Sequence, residues 1–264
     1  HERHETLRTR FPEEGGAPWQ QVEPATAVEL GFEDLRQDTD AQARLRELAL
    51  HEATQTFNLK TGPLARYYLV QLEDSAVLLM TLHHIVTDGW SMDVMVRELT
   101  STYEVLSACG KPDEPGLPVQ YIDYSLWQQA QLEAGGDDQL LGYWRAALEG
   151  GNARISLPYD HPRPAVLSVD GRLHVSTISP DVAAGLRTLA QTHGATEFMV
   201  WLALYATLLY RWSGQTDFNV GTPVANREHA ELEGLIGFFV NTLVMRSRPH
   251  GNASFVELLA ATRK

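Results

Sequence analysis

The hydrophobic and polar positions near the start of the chain predict one helix followed by two strands. Residues 40–57, DAQARLRELALHEATQTF, place apolar side chains at helical spacing. The runs PLARYYLVQL (63–72) and SAVLLMTLHH (75–84) have the length and composition of strands, and the EDS between them suits a tight hairpin. The second run is apolar on both faces, which is typical of a strand covered on both sides.

A second amphipathic helix is predicted to follow this hairpin. We expect Ser91 to be its N-cap, with Asp93 in the first turn. Apolar residues then recur at about i, i+3, i+4 and i+7 and define one face: Met92, Met95, Val96, Leu99, Tyr103 and Leu106. The segment HHIVTDG (83–89) therefore lies in a turn between a buried strand and a helix, where side chains and backbone N–H groups are rigidly held.

The rest of the chain contains further predicted helices and strands. The predicted elements are helices at 121–133, 140–150, 180–193 and 196–212, strands near 217–224 and 238–246, and a last helix from about 253. Residues 150–171 are rich in Gly and Pro and have no sustained period. This segment is the best candidate for a domain boundary.

Composition and charge exclude several classes of partner. The chain of 264 residues can hold one large domain or two lobes. Its formal charge of −13 argues against a nucleic-acid or membrane surface, because both require clustered Lys and Arg. The apolar stretch 198–210 is too short for a bilayer, which needs about 20 such residues. A single cysteine, Cys109, fits a reducing cytosol, so we expect a cytoplasmic protein.

The adjacent histidines His83 and His84 are the main candidates for chemistry. Neighbouring side chains on a strand point to opposite faces, so the pair is poorly placed to bind one metal ion, and no metal site is predicted. No nucleophile elbow and no glycine-rich phosphate loop occurs either. We expect one imidazole to face the core and the other a cleft. Asp88 either orients a histidine or holds the turn by pairing with a distant cation.

The segment HHIVTDGWS resembles the His-His-x-x-x-Asp-Gly motif of condensation domains of nonribosomal peptide synthetases. Other segments resemble that family's signatures in the same order: RHETLRTRF (3–11), YIDYSLWQ (121–128), the inter-lobe connection LPYDHPRP (157–164) and IGFFVNTLVMR (236–246). The resemblance covers nearly the whole chain. The family's segments before residue 3 and after the helix at 253 are missing, so we expect an incomplete domain whose activity is impaired in isolation.

The resemblance implies a chloramphenicol-acetyltransferase-like α/β fold, with two lobes in a V and a tunnel between them. Residues 1–157 would form the N-terminal lobe, 158–171 the linker, and 172–264 part of the C-terminal lobe. It also implies peptide-bond formation, in which the amine of one carrier-bound aminoacyl unit attacks the thioester of another, for antibiotic or siderophore synthesis. The expected partners are donor and acceptor carrier proteins and adjacent synthetase domains. Their phosphopantetheine arms act as substrates, and no cofactor is bound directly.

The same resemblance assigns roles to single residues. His84, the second motif histidine, is expected to be catalytic, as a general base or as a group that positions the amine; an imidazole can accept a proton at neutral pH. His83 belongs to the motif. Asp88 is expected to be structural and to pair with Arg227 from the second lobe, and Gly89 to let the backbone approach the substrate closely. Three residues are candidates for lining the tunnel: Trp90, Ser91 and Asn241.

Two alternatives remain open from the sequence. Epimerisation domains share the fold and the motif and use the histidine for proton transfer at Cα. Their residues after Asp-Gly usually differ from WSMDVMVREL (90–99), which ranks this reading second. A non-catalytic domain that only docks carrier proteins is the third reading, and the intact motif weighs against it.

Overall fold

The structure, a computed structural model, describes residues 1–112, 115–135, 138–151, 154–166, 168, 171 and 173–263. The chain divides into two compact units, one made of His1–Asp137 and Pro223–Asn241, the other of Asp138–Thr222 and Thr242–Lys264. The division into lobes 1–157 and 172–264 with a linker at 158–171 stays a prediction. Of these segments, the following residues lie outside the described ones: 113, 114, 136, 137, 152, 153, 167, 169, 170, 172 and 264.

The described residues form both helices and strands, with five strands before the first α-helix and five α-helices in succession after the seventh strand. The α-helices of the described residues are α1 (Ala41–Thr54), α2 (Gly89–Ser107), α3 (Tyr121–Glu133), α4 (Asp138–Leu148), α5 (Pro180–Thr192), α6 (Glu197–Ser213) and α7 (Phe255–Thr262). Their strands are β1 (Thr9–Arg10), β2 (Glu13–Glu14), β3 (Ala17–Pro18), β4 (Gln21–Val22), β5 (Leu30–Asp34), β6 (Ala65–Gln71), β7 (Ala76–Leu82), β8 (Phe218–Val224) and β9 (Asn241–Ser247). Short 3₁₀ helices lie at Glu5–Arg8, His84–Val86 and Ala230–Leu232.

The predicted hairpin forms the centre of the sheet in the first unit. β6 and β7 pair antiparallel, with Ala65 opposite Leu82 and Gln71 opposite Ala76. β5 adds to β6 in parallel and gives the order β5-β6-β7. The sequence analysis missed β5, whose residues LGFED combine one glycine with two acids. A parallel partner also leaves no hairpin signal in the neighbouring sequence.

The start of α2 differs from the prediction. The helix begins at Gly89, and its N-cap is Asp88, whose carboxylate accepts a hydrogen bond from Ser91 N at 2.8 Å. The expectation that Ser91 caps the helix is therefore wrong. Asp88 has extended backbone angles and its short carboxylate reaches the third N–H of the helix, which is the geometry that an N-cap requires.

The predicted apolar face of α2 is only partly buried in the described structure. Met95 is buried, but the later members of that face are 45% to 71% exposed: Val96, Leu99, Tyr103 and Leu106. The residues that α2 buries are instead Ser91, Val94 and Met95, near its start. The first two turns of α2 are therefore the part that the core fixes.

Three clusters of buried side chains position the turn between β7 and α2. One lies between α1 and the sheet and contains Leu35, Leu48, Val70 and Leu72. A second joins α2 to the segment 236–239 through Leu7, Val94, Met95 and Ile236. A third joins α3 to the same segment through Tyr124, Leu232, Leu235 and Phe239. The motif segment 83–89 and the segment 236–239 are thus packed on a common framework.

The second unit has its own core on α6. α5, α6 and α7 bury Ala190, Val200, Ala203 and Leu259, and β8 adds Phe218 against Ala206 and Leu209 of α6. The apolar run 198–210 lies inside α6. None of the helices in the described part of the chain has the length and hydropathy needed to cross a membrane.

Candidate active site

Both motif histidines follow the end of β7, so they lie outside the strand that was predicted to extend to His84. β7 stops at Leu82, and the chain then turns through the 3₁₀ helix His84–Val86. The half-buried ring of His83 packs edge-on against Phe57, with centroids 5.7 Å apart. The ring of His84 is exposed. His83 is thus the packed ring and His84 the exposed one, and the expectation that His84 faces a cleft stays a prediction.

Hydrogen bonds fix opposite tautomers on the two rings. His84 Nδ1 lies 2.6 Å from the carbonyl oxygen of Thr87. A carbonyl only accepts, so His84 Nδ1 carries the hydrogen and Nε2 of the neutral ring keeps its lone pair. His83 Nδ1 accepts from Ile85 N–H at 3.0 Å, so its neutral ring carries the hydrogen on Nε2. His84 is the histidine that presents an exposed proton acceptor.

Phe238 also contacts the His84 ring. The two ring centroids are 5.0 Å apart and their planes meet at 81°, an edge-to-face arrangement. Phe238 is itself 40% exposed. The sequence analysis singled out Asn241 in the segment IGFFVNT and missed Phe238, because no local pattern relates an exposed phenylalanine to a histidine so far away along the chain.

Asp88 is buried and surrounded by hydrogen-bond donors. Its Oδ1 accepts from Ser91 N at 2.8 Å and lies 2.7 Å from the Ser91 hydroxyl, and its Oδ2 accepts from Phe239 N at 2.9 Å. Burial raises the pKa of this carboxyl, but the hydrogen bonds from Ser91 and Phe239 and the charge of Arg227 outweigh burial and hold the pKa below its usual value. Asp88 is therefore a buried carboxylate anion.

Arg227 is the counter-ion of Asp88. Its side chain is 1% exposed, and Nη2 lies 3.3 Å from Asp88 Oδ1 and 2.8 Å from the Ser91 hydroxyl. Nη1 donates to the carbonyl of Leu235 at 2.8 Å and also to that of Leu232. Burial holds the pKa of Arg227 below its usual value, while Asp88 acts in the opposite direction. The ion pair implied by the resemblance is present, and both partners lie in the first compact unit.

Ser91 joins the motif to the segment 237–239. It is completely buried; its hydroxyl accepts from Gly237 N at 3.0 Å and lies 2.8 Å from the Gly237 carbonyl oxygen. This burial corrects the expectation that Ser91 lines a substrate tunnel, since its hydroxyl is occupied by protein groups. A Cβ at Gly237 would overlap the ring of Tyr121, so the close approach of this segment to α3 requires glycine.

Hydrogen bonds to the motif and to α3 consequently hold the backbone of residues 237–239 in place. Gly237 is bonded to Ser91, and Phe239 N donates to Asp88. The Phe238 carbonyl accepts from the Tyr121 hydroxyl at 2.8 Å. Burial raises the pKa of Tyr121 to about 12, so this hydroxyl stays protonated and can donate. The segment 237–239 is thereby fixed next to His84.

The remaining predicted site residues lie at the surface. Trp90 is 43% exposed and its indole Nε1 donates to the Glu233 carbonyl at 2.9 Å. A Cβ at Gly89 would meet no atom within 4 Å, and Asn241 is exposed at the start of β9. Their roles toward a substrate stay predictions. Within the described residues, no group of three or more His, Cys, Asp and Glu side chains is arranged to hold a metal ion.

Comparisons with known proteins agree on one family and fold. The family model of the Condensation domain matches residues 1–264. A linear gramicidin synthase protein from Brevibacillus parabrevis is 44% identical over 266 residues, which cover 100% of this chain and 3% of that protein. The X-domain from teicoplanin biosynthesis matches with a TM-score of 0.86 at 30% identity, over 99% of this chain and 58% of that one.

The fold extends to more distant proteins. The epimerization domain from the third module of tyrocidine synthetase B has a TM-score of 0.81 at 20% identity, over 98% of this chain and 59% of that one, which shows a shared fold alone. The expected chloramphenicol-acetyltransferase-like α/β fold of condensation domains is thus confirmed. The V-shaped arrangement of lobes and the tunnel stay predictions. The chain spans 3% of the gramicidin synthase protein and less than two thirds of either solved chain.

Proposed function

This chain belongs to the condensation-domain family, and from that premise we propose that it forms amide bonds in nonribosomal peptide synthesis. The substrates are an aminoacyl or peptidyl donor and an aminoacyl acceptor, each carried as a phosphopantetheine thioester on a carrier protein. The observation that supports this proposal most strongly is the exposed His84 ring, whose Nδ1 is bonded to Thr87 and whose Nε2 is left as an acceptor.

The reaction transfers the donor acyl group from sulfur to nitrogen. The acceptor amine attacks the thioester carbonyl, the new C–N bond forms, and the C–S bond breaks. As the C–N bond forms, the amine nitrogen becomes acidic and gives its proton to His84 Nε2, and the leaving thiolate receives a proton in turn. A positioned base of this kind contributes about 10²- to 10⁴-fold to the rate. The Thr87 carbonyl stabilises the imidazolium through the Nδ1–H bond.

Asp88 supports the site without sharing in proton transfer. Both of its oxygens are occupied by Ser91, Phe239 and Arg227, and His84 Nδ1 is bonded to Thr87 instead. Asp88 therefore holds the turn that carries His84. The protein binds no cofactor of its own in this proposal, and it acts in the cytoplasm beside the other domains of a synthetase.

A second candidate function is epimerisation at Cα of a carrier-bound aminoacyl unit. It is supported by the fold shared with the epimerization domain of tyrocidine synthetase B. The same Nε2 would then remove the Cα proton, and no amide would form. A domain that only docks carrier proteins would perform neither reaction.

One experiment separates the three functions. The complete synthetase that contains these residues is given its own two carrier proteins, loaded with the amino acids that its adenylation domains activate, in D₂O. Intact-protein mass spectrometry then follows both carriers. A gain in mass of the acceptor carrier equal to the donor acyl group supports the proposal. Deuterium at Cα without acyl transfer favours epimerisation. If neither acyl transfer nor deuterium uptake occurs, the result favours a domain that only docks carrier proteins.

A further inference from the structure

We propose that Phe238 is a positioning residue that holds the His84 imidazole in its reactive orientation. The inference rests on the proposed function and adds a residue to it. Phe238 does not need to touch the substrate for this role, because it acts through the edge-to-face contact of the two rings, 5.0 Å between centroids.

His84 needs a second restraint. Its ring is exposed, and the hydrogen bond from Nδ1 to Thr87 holds only one of its edges. Rotation of an imidazole about its outer side-chain bond is broad and has two comparable orientations, which exchange the positions of its atoms. Only one orientation keeps Nδ1 on Thr87 and Nε2 toward solvent. A ring packed at 81° to the imidazole plane opposes the rotation out of that orientation.

Phe238 can provide such a restraint because its own position does not depend on its side chain. Its carbonyl is held by Tyr121, and its neighbours Gly237 and Phe239 are held by Ser91 and Asp88. Phe239 is 2% exposed and points into the core beneath Arg227, whereas the preceding side chain, Phe238, is 40% exposed. The anchored backbone thus directs the Phe238 ring outward against His84. Deleting that ring leaves the anchors in place.

The role predicts an effect on kcat rather than on KM. Without the ring, His84 spends less time in the reactive orientation, so we expect Phe238→Ala to lower kcat for amide formation about 10-fold, the effect of a lost aromatic pair near a reacting group. The KM for the loaded acceptor carrier should stay within about twofold, because in this role the ring acts through the orientation of His84 and not through contact with the carrier. Phe238→Tyr keeps the ring and should restore kcat, while Phe238→Leu keeps apolar volume without a ring and should not.

The test measures kcat and KM for amide formation by the complete synthetase with these three variants. Phe32→Ala is the matched control, since Phe32 is 58% exposed on β5 of the same compact unit. The proposal is overturned by a kcat of Phe238→Ala within twofold of wild type, by a rise in KM alone, or by full activity of Phe238→Leu.

Failure of the proposed function has a different signature. A wild-type enzyme that exchanges the Cα hydrogen but forms no amide refutes the proposed function alone, and the same variants then test Phe238 through the exchange rate. A wild-type enzyme that does neither refutes both proposals.

Discussion

Replacing Asp88 by asparagine tests how the site is held together. Asparagine has nearly the same shape, but one of its two terminal atoms is an NH₂ donor. In one orientation this NH₂ faces Phe239 N–H, which lies 2.9 Å from Oδ2, and in the other it faces Ser91 N–H and Arg227. Either way a donor meets a donor. The substitution also leaves the buried Arg227 cation without its counter-ion.

The expected loss of stability is large. Removing one partner of a buried ion pair costs about 3–5 kcal/mol, because the other charge stays buried. We therefore expect the free energy of unfolding to fall by about 3–5 kcal/mol, out of the roughly 5–15 kcal/mol that a typical domain has. If Asp88 acted only as the N-cap of α2, asparagine would cost almost nothing, because Asn and Asp cap equally well.

Urea unfolding at neutral pH measures this loss. The matched control is Asp34→Asn, the same substitution in the Asp34–Arg36 pair, whose side chains are 40% and 59% exposed; its urea midpoint should not move. Arg227→Met and the Asp88→Asn/Arg227→Met double variant complete a double-mutant cycle. The double variant should lose less free energy of unfolding than the two single variants together, by at least about 1 kcal/mol. Additivity within about 0.3 kcal/mol would refute the buried-pair reasoning.

The loss should also depend on pH. The pKa of Asp88 lies below the ordinary value of 3.8, so its contribution to stability is fully present above pH 3.8 and is lost as the pH falls through its folded-state pKa. The difference in stability between wild type and Asp88→Asn should therefore shrink below pH 3.8.

Two further predictions concern other buried positions. Burial lowers the pKa of His4 from 6.5, although Glu98 acts in the opposite direction, so the unfolded chain binds more protons and stability should fall as the pH drops through 6.5. The free energy of unfolding of His4→Gln, measured with urea, should therefore depend less on pH than that of wild type. An equal pH dependence of the two proteins would contradict this. Gly237→Ala should lower the free energy of unfolding by about 1–3 kcal/mol, because its Cβ overlaps the Tyr121 ring, whereas Gly89→Ala meets open space and should unfold like wild type. Equal urea midpoints for both alanine variants would contradict the crowding at Gly237.

Much of the fold was predictable because its signals are local. α1, the β6–β7 hairpin and the helices and strands after residue 180 follow from apolar periodicity, and the structure places them within a few residues of the predicted bounds. The cap of α2 was mispredicted for a non-local reason. Serine is a residue type that N-cap positions favour, but the segment at Gly237 buries the Ser91 hydroxyl, and Asp88 takes the capping position.

Some residues of the site could likewise be predicted from the sequence, whereas others depend on contacts between distant segments. The sequence singled out His83 and His84, but both lie beyond the end of β7, so alternation along a strand does not explain why one ring packs and the other is exposed. The family resemblance supplied Arg227 as the partner of Asp88. The contact of Phe238 with His84 was found only in the structure. Its contact with His84 depends on backbone anchors at Ser91, Tyr121 and Asp88, which no sequence pattern joins to an exposed phenylalanine.

The most direct test of the account is the single-turnover rate of amide formation by His84→Ala in the complete synthetase. His51→Ala is the matched control, since His51 is an exposed histidine on α1. We predict that the loss of Nε2 lowers the rate at least about 100-fold, while the control keeps the wild-type rate. A His84→Ala rate within a few-fold of wild type would contradict the assignment of His84 as the group that accepts the amine proton.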